Sequence, residues 1–235
     1  MIAWTVGLLG EVMVTAGVLL GLFVVWQVFW TDVQSSRAAQ DAVERMHESY
    51  EPPAATGEQP TGPQTGAPPV IDAPAEGTDF GILHVPRWGE DHELPIAEGV
   101  GLHDVLNTGA AGHYPSTSMP GEVGNFALAA HRQTYGAAFH KIDQLQNGDQ
   151  IVVWTPKAWL VYEVSESYVV TPDQTDVVAP VPGNAGAEAT ERVITLTTCH
   201  PLWSTRERYI VHGEFVEWYA PSPADDMPEE LRENV

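Results

Sequence analysis

Residues 192–219 read RVITLTTCHPLWSTRERYIVHGEFVEWY. Val193–Thr198 is β-branched or apolar throughout, the composition of a buried strand. Pro201 has no N–H to give to a ladder, so that strand ends close to Cys199. From Arg208 onward comes a second run rich in β-branched and aromatic residues. Only a short turn separates the two, so they read as antiparallel neighbours with Cys199 at the rim of the sheet, where substrates can reach it.

Working outward, five further runs look like strands: FGILHVP (80–86), ELPIA (93–97), NFALAAH (125–131), DQIVVWT (149–155) and WLVYEVSESYVV (159–170). Each is bounded by Gly, Pro, Asn or Asp. Helical signal inside this region is confined to short stretches near Gly101–Leu106 and Phe139–Leu145. Seven or eight strands with few helices predict an all-β fold, a sandwich or a closed barrel. The folded domain is expected over residues 78–220.

The segments around it differ in kind. Residues 1–31 carry one charged side chain, Glu11, and the 19 residues from Val12 to Trp30 carry none. That is close to the roughly 20 residues a helix needs to cross a bilayer. Trp4 lies toward one end of the run, and Trp26 and Trp30 toward the other, as an aromatic belt requires. There is no basic n-region and no good small-x-small site after Trp30, so a retained anchor is expected rather than a cleaved signal peptide. Residues 32–77 begin with a short polar helix, Val33–Tyr50. They continue as Glu51–Gly77, which has seven prolines and four glycines and is read as an extended linker. Residues 221–235 form an acidic tail.

The chain has 32 acidic and 10 basic side chains, a formal charge of −22. Such a surface holds neither phosphate backbones nor anionic headgroups, so nucleic acid is excluded as a partner and any membrane attachment is hydrophobic. The single cysteine rules out an internal disulfide. The nine histidines show no HxxxH, HExxH or paired-Cys spacing, so no metal is expected.

A thiol attacks carbonyls as the thiolate, which a nearby cation favours. Arg206 and Arg208 both start the strand after Cys199. They share strand parity, so alternation does not choose between them. An imidazole is also needed to carry protons. His131 ends a strand-like run just before the loop RQTYG, and His113 in GHYP is a second candidate.

TLTTCHP (195–201) resembles the TLxTC signature of the sortases. RYIVHG (208–213) resembles the strand that carries the family's arginine, and NFALAAHRQTYGAAFHKIDQLQNGD (125–149) the segment around its histidine. GHYPSTSMPGEVGNFALAAH, with Tyr114, is similar to class E sortases of high-GC Gram-positive bacteria. The resemblance implies an eight-stranded sortase β-barrel and no cofactor. It implies that Cys199 attacks the Thr–Gly bond of an LAxTG- or LPxTG-type sorting signal and forms a thioacyl enzyme. His131 would exchange protons with the leaving and incoming amines, and Arg208 would hold the substrate and its oxyanion. Tyr114 and Thr198 would bind substrate, and an amine of a peptidoglycan precursor would accept the acyl group. The enzyme would be a single-pass protein of the cell membrane, with its catalytic domain outside. His200, directly after the cysteine, departs from the family pattern. Rival readings are an L,D-transpeptidase, a cysteine hydrolase and a tethered binding module with an inert thiol.

Overall fold

Neighbouring residues in this chain's strands are apolar on both faces, and the fold uses both. In the computed structural model, which describes residues 2–51, 62–89, 92–221, 227, 228 and 231, the strands are β1 (Asp79–His84), β2 (Glu93–Glu98), β3 (Ala111–His113), β4 (Gly124–Ala129), β5 (Gln150–Thr155), β6 (Ala158–Val170), β7 (Arg192–His200) and β8 (Glu207–Tyr219). They close into one barrel in the order β1-β2-β3-β4-β7-β8-β6-β5. Closure leaves no sheet edge to be protected. Leu83, Phe126, Leu128, Val153, Ile194 and Leu196 fill the interior. Their neighbours Ile82, Val152 and Trp154 point the other way, into a second cluster outside the wall with Val43, Trp159 and Leu231. The strands therefore read as apolar runs rather than as alternating ones.

That outer layer exists because one helix, α1 (Ile2–Ser49), runs without a break from the apolar segment onto the barrel. Its first part is long and apolar enough to cross a membrane and lies exposed, as lipid contact requires. Below it, Ser35, Ala39, Ala42 and Val43 form a buried stripe at helical spacing. The stripe crosses the barrel at Gly109, whose φ is +88° and where a Cβ would stand 2.8 Å from Ser35 O. Only glycine allows so close an approach with that backbone.

The proline-rich segment behaves differently from a free linker. Residues 52–61 lie outside the described residues, but from Gly62 onward the chain follows the barrel wall. Gln64 pairs with Trp218 through two backbone hydrogen bonds of 2.8 and 2.9 Å. Lys157 Nζ donates to Val70 O at 2.7 Å, and Val70 and Ile71 pack on the core. Few large apolar groups suffice here because the docking surface is already formed. In the acidic tail, Leu231 is fully buried in the outer cluster and Met227 packs beside it. The described strands include β3, only three residues long and too short to leave a periodic signal.

A buried polar string braces the outer face. Thr195 Oγ1 donates to Asn125 Oδ1 at 2.7 Å, so it accepts from His212 Nδ1 at 2.8 Å. His212 Nε2 is then the acceptor for Tyr168 O–H, also at 2.8 Å. Asn125 Nδ2 donates to the carbonyls of Val177 and Ala179 and ties down the loop before β7. Burial pulls the His212 pKa down to about 4. Burial also lowers those of His131 and His92, the latter helped by Lys141 and His84. Between roughly pH 6.5 and 4 the unfolded chain binds protons that the folded chain refuses. Stability is thus full above about pH 6.5 and falls as the pH drops through this window, by up to about 3 kcal/mol for His212. A pH series of melting temperatures checks this. His212→Asn keeps a donor for Thr195, cannot titrate in this range and is expected to flatten the slope.

Candidate active site

The site lies where three adjacent strands end together. β7 and β8 are antiparallel, with Thr195 opposite His212, Thr197 opposite Ile210 and Cys199 opposite Arg208. β4 runs parallel to β7 on its other side, with Ala127 beside Thr195 and Ala129 beside Thr197. Continuing that register by two residues puts His131 beside Cys199. Histidine, cysteine and arginine therefore stand at one level where three adjacent strands end, His131 two residues past β4. Arg206 precedes β8, in the exposed turn, with its Nε 3.4 Å from Ser204 Oγ. The register thus decides what parity alone left open: Arg208 is the arginine opposite the thiol.

Cys199 is partly exposed and is the free thiol of the chain. Arg208 is half-buried, and its Nη1 donates to Thr205 O and Glu207 O, both at 2.9 Å. These bonds fix the base of the guanidinium, while Nε and Nη2 have no hydrogen-bond partner among the described residues. His131 is half-buried and its ring stacks on Tyr135, with centroids 5.4 Å apart. Its Nε2 donates to Asn107 Oδ1 at 2.9 Å. Burial lowers its pKa below the usual imidazole value, so the ring is neutral at pH 7.

Tyr114 enters the same face from the turn after β3. Thr197 Oγ1 donates to Leu128 O at 3.1 Å, so the hydroxyl of Tyr114, 3.2 Å away, is the donor to Thr197. The Tyr114 oxygen keeps its acceptor capacity beside Thr197, two residues before the thiol on β7.

Thr198 takes a different place from the substrate contact expected of it. Successive side chains alternate across a strand. Cys199 faces outward, so Thr198 faces in. It is 3% exposed, and its hydroxyl donates to Ala130 O at 2.7 Å. It clamps the chain just after β4 to β7, one residue before His131. His113, the second candidate histidine, is inside the wall and fully engaged. Its Nδ1 is 2.7 Å from Glu98 Oε2 and its Nε2 3.0 Å from Thr117 Oγ1.

Two residues at the site carried no sequence signal that singled them out. Asn107 lies in a single 3-10 turn, Leu106–Thr108. Arg132 is 4% exposed, donates to Asp143 Oδ2 at 2.7 Å, and lies 5.6 Å from the Tyr209 ring. Its Nη1 also donates to His200 Nδ1 at 2.8 Å. This accounts for His200: the imidazole caps a buried guanidinium, which sits just beneath the row of Cys199. A cavity of about 690 Å³ opens between α1 and the loop at 133–141, with Val24, Phe29 and Trp203 in its walls.

The chain belongs to the sortase family of cysteine transpeptidases: residues 83–216 match the family described as Sortase domain. Within that family it sides with class E. It is 37% identical to sortase SrtE2 of Streptomyces coelicolor over 98% of this chain and 89% of that protein. A crystal structure of sortase E1 from the same organism, with a tripeptide in its active site, superposes with a TM-score of 0.60 at 39% identity. That match covers 67% of this chain and 99% of the other. The SrtA sortase of Actinomyces oris gives a TM-score of 0.67 at 45% identity, over 72% of this chain and 95% of its own.

Proposed function

We propose that this sortase cleaves the Thr–Gly bond of an LAxTG-type sorting signal and passes the acyl group to an amine of a peptidoglycan precursor. The observation that carries the reading is Cys199 opposite Arg208 on β7 and β8, with His131 two residues past the end of the neighbouring β4. Cys199 gives its thiol proton to the neutral His131 ring, the thiolate attacks the threonine carbonyl carbon, and the carbonyl electrons move onto oxygen. Arg208, held at Nη1, turns its remaining N–H groups toward that oxyanion. The C–N bond then breaks, and His131 in its imidazolium form gives its proton to the departing glycine amine. In the second half the acceptor amine attacks the thioester, His131 takes its proton, and Cys199 leaves as thiolate. Cys199, His131 and Arg208 are the catalytic residues. Tyr114 reads the second position of the motif, and Thr198 positions the strands. Helix α1 anchors the protein in the cell membrane with the barrel outside, where Cys199 meets substrates that are themselves tethered to that membrane.

One experiment tests both the reaction and the side of the membrane on which it occurs. Protoplasts carrying the full chain are given membrane-impermeant LAxTG and LPxTG peptides with an amine acceptor, and products are read by mass spectrometry. The expected product is the peptide cut after Thr and joined to the amine, with none from Cys199→Ala. Product only after the membrane is breached would place the barrel on the inner side. Absence of product in both states would overturn the reaction.

A further inference from the structure

We propose that Asn107 orients the imidazole of His131, and that the anchor helix holds Asn107 in place. The inference deepens the reading of His131 as proton carrier and rests on it. The amide oxygen of Asn107 can only accept, so the 2.9 Å bond keeps the proton of the neutral ring on Nε2. Nδ1 is left bare as the atom that trades protons at Cys199. A ring free to flip would present the wrong tautomer for part of the time.

Asn107 is itself tied to α1. Ser35, 5% exposed, donates through Oγ to Asn107 O at 2.7 Å. The other wall of the imidazole is held by the same helix. Gly136 N donates to Asp32 Oδ1 at 2.8 Å, one residue after Tyr135, which stacks on His131. This loop needs holding: Thr134, Tyr135 and Ala137 all have left-handed backbones, with φ of +62°, +50° and +46°. Such conformations are unfavourable for residues with a Cβ and persist only where the surroundings impose them. Asp32 and Ser35 lie directly after the apolar span, so the helix that crosses the membrane also sets the histidine. Asn107 is a positioning residue, since it touches His131 and not the reacting atoms.

The test uses the full chain in detergent micelles, labelled with ¹⁵N-histidine, with His131 assigned by its loss in His131→Gln. The wild-type spectrum is expected to show the Nε2–H tautomer at pH 7.5, and Asn107→Ala a mixture. Asn107→Ala is expected to lower kcat at least about tenfold, part of the 10²–10⁴ that positioned acid–base catalysis supplies, with KM for the peptide little changed. Asn107→Asp keeps an acceptor in place and is expected to retain the tautomer and most of kcat. A purely structural role would make Asp no better than Ala. Asp32→Ala with Ser35→Ala is expected to mix the tautomers and lower kcat by roughly two- to tenfold, as for a lost hydrogen bond or two. A wild-type tautomer in Asn107→Ala, or an Asp variant no better than Ala, would overturn the role of Asn107. A wild-type tautomer and kcat in the double variant would overturn that of the helix. The tautomer is read without turnover, so failure of the wild type to process peptide would count against the proposed reaction alone.

Discussion

Arg208→Ala is expected to lower transfer to sorting peptides by at least about a hundredfold, the scale for loss of a positioned oxyanion donor. Arg206→Ala is expected to stay within about twofold of wild type, as is usual for an exposed residue without special contacts. The contrast follows from register. Arg208 stands opposite Cys199, while Arg206 belongs to the exposed turn. Arg208→Lys is expected to fail nearly as badly as the alanine variant. Nη1 of Arg208 is occupied by two backbone carbonyls, and the planar fork carries the remaining donors to a second direction. An ammonium has one nitrogen and cannot serve both. Steady-state kcat/KM on one peptide decides the matter, and a larger loss at Arg206 than at Arg208 would reverse the assignment.

The second large effect is on motif choice. Pro at the second motif position fixes the local backbone and has no N–H, whereas Ala keeps its N–H and takes less room. Tyr114 can favour Ala in both ways. Its proton goes to Thr197, so its oxygen is free to accept a peptide N–H, and on the proposed reading its ring would compete with a pyrrolidine for space. A preference built on ring volume alone is worth only about 1–3 kcal/mol, while one that leaves a polar group unpaired can be much larger. The wild type is therefore expected to prefer LAxTG over LPxTG. Tyr114→Phe is expected to lose part of that preference and Tyr114→Ala more of it. Ratios of kcat/KM for the two peptides on the three proteins give the answer. A constant ratio would show that Tyr114 does not read this position.

Sequence alone determined what depends on neighbours along the chain. The apolar span, the strand that ends at Cys199 and the strand that follows it are local features, and a short turn forces the last two to pair. For Thr198 the resemblance implied a substrate contact, whereas strand alternation with Cys199 turns it inward, where its hydroxyl is bound to Ala130 O. Tertiary structure decided whatever depends on distant strands meeting. β4 lies beside β7 with more than sixty residues between them, and only that parallel pairing brings His131 level with Cys199. The register of β8, shifted by its turn, chose Arg208 over Arg206. Asn107, in a single turn without periodicity, became visible only when closure of the barrel set it against His131 and α1. The proline-rich segment and Leu231 found partners because a finished wall can hold residues too sparse to build a core themselves. Period and composition reveal which residues are to be buried, whereas the burial partners and the atoms that face a thiol are fixed by loop closure and packing across the whole barrel.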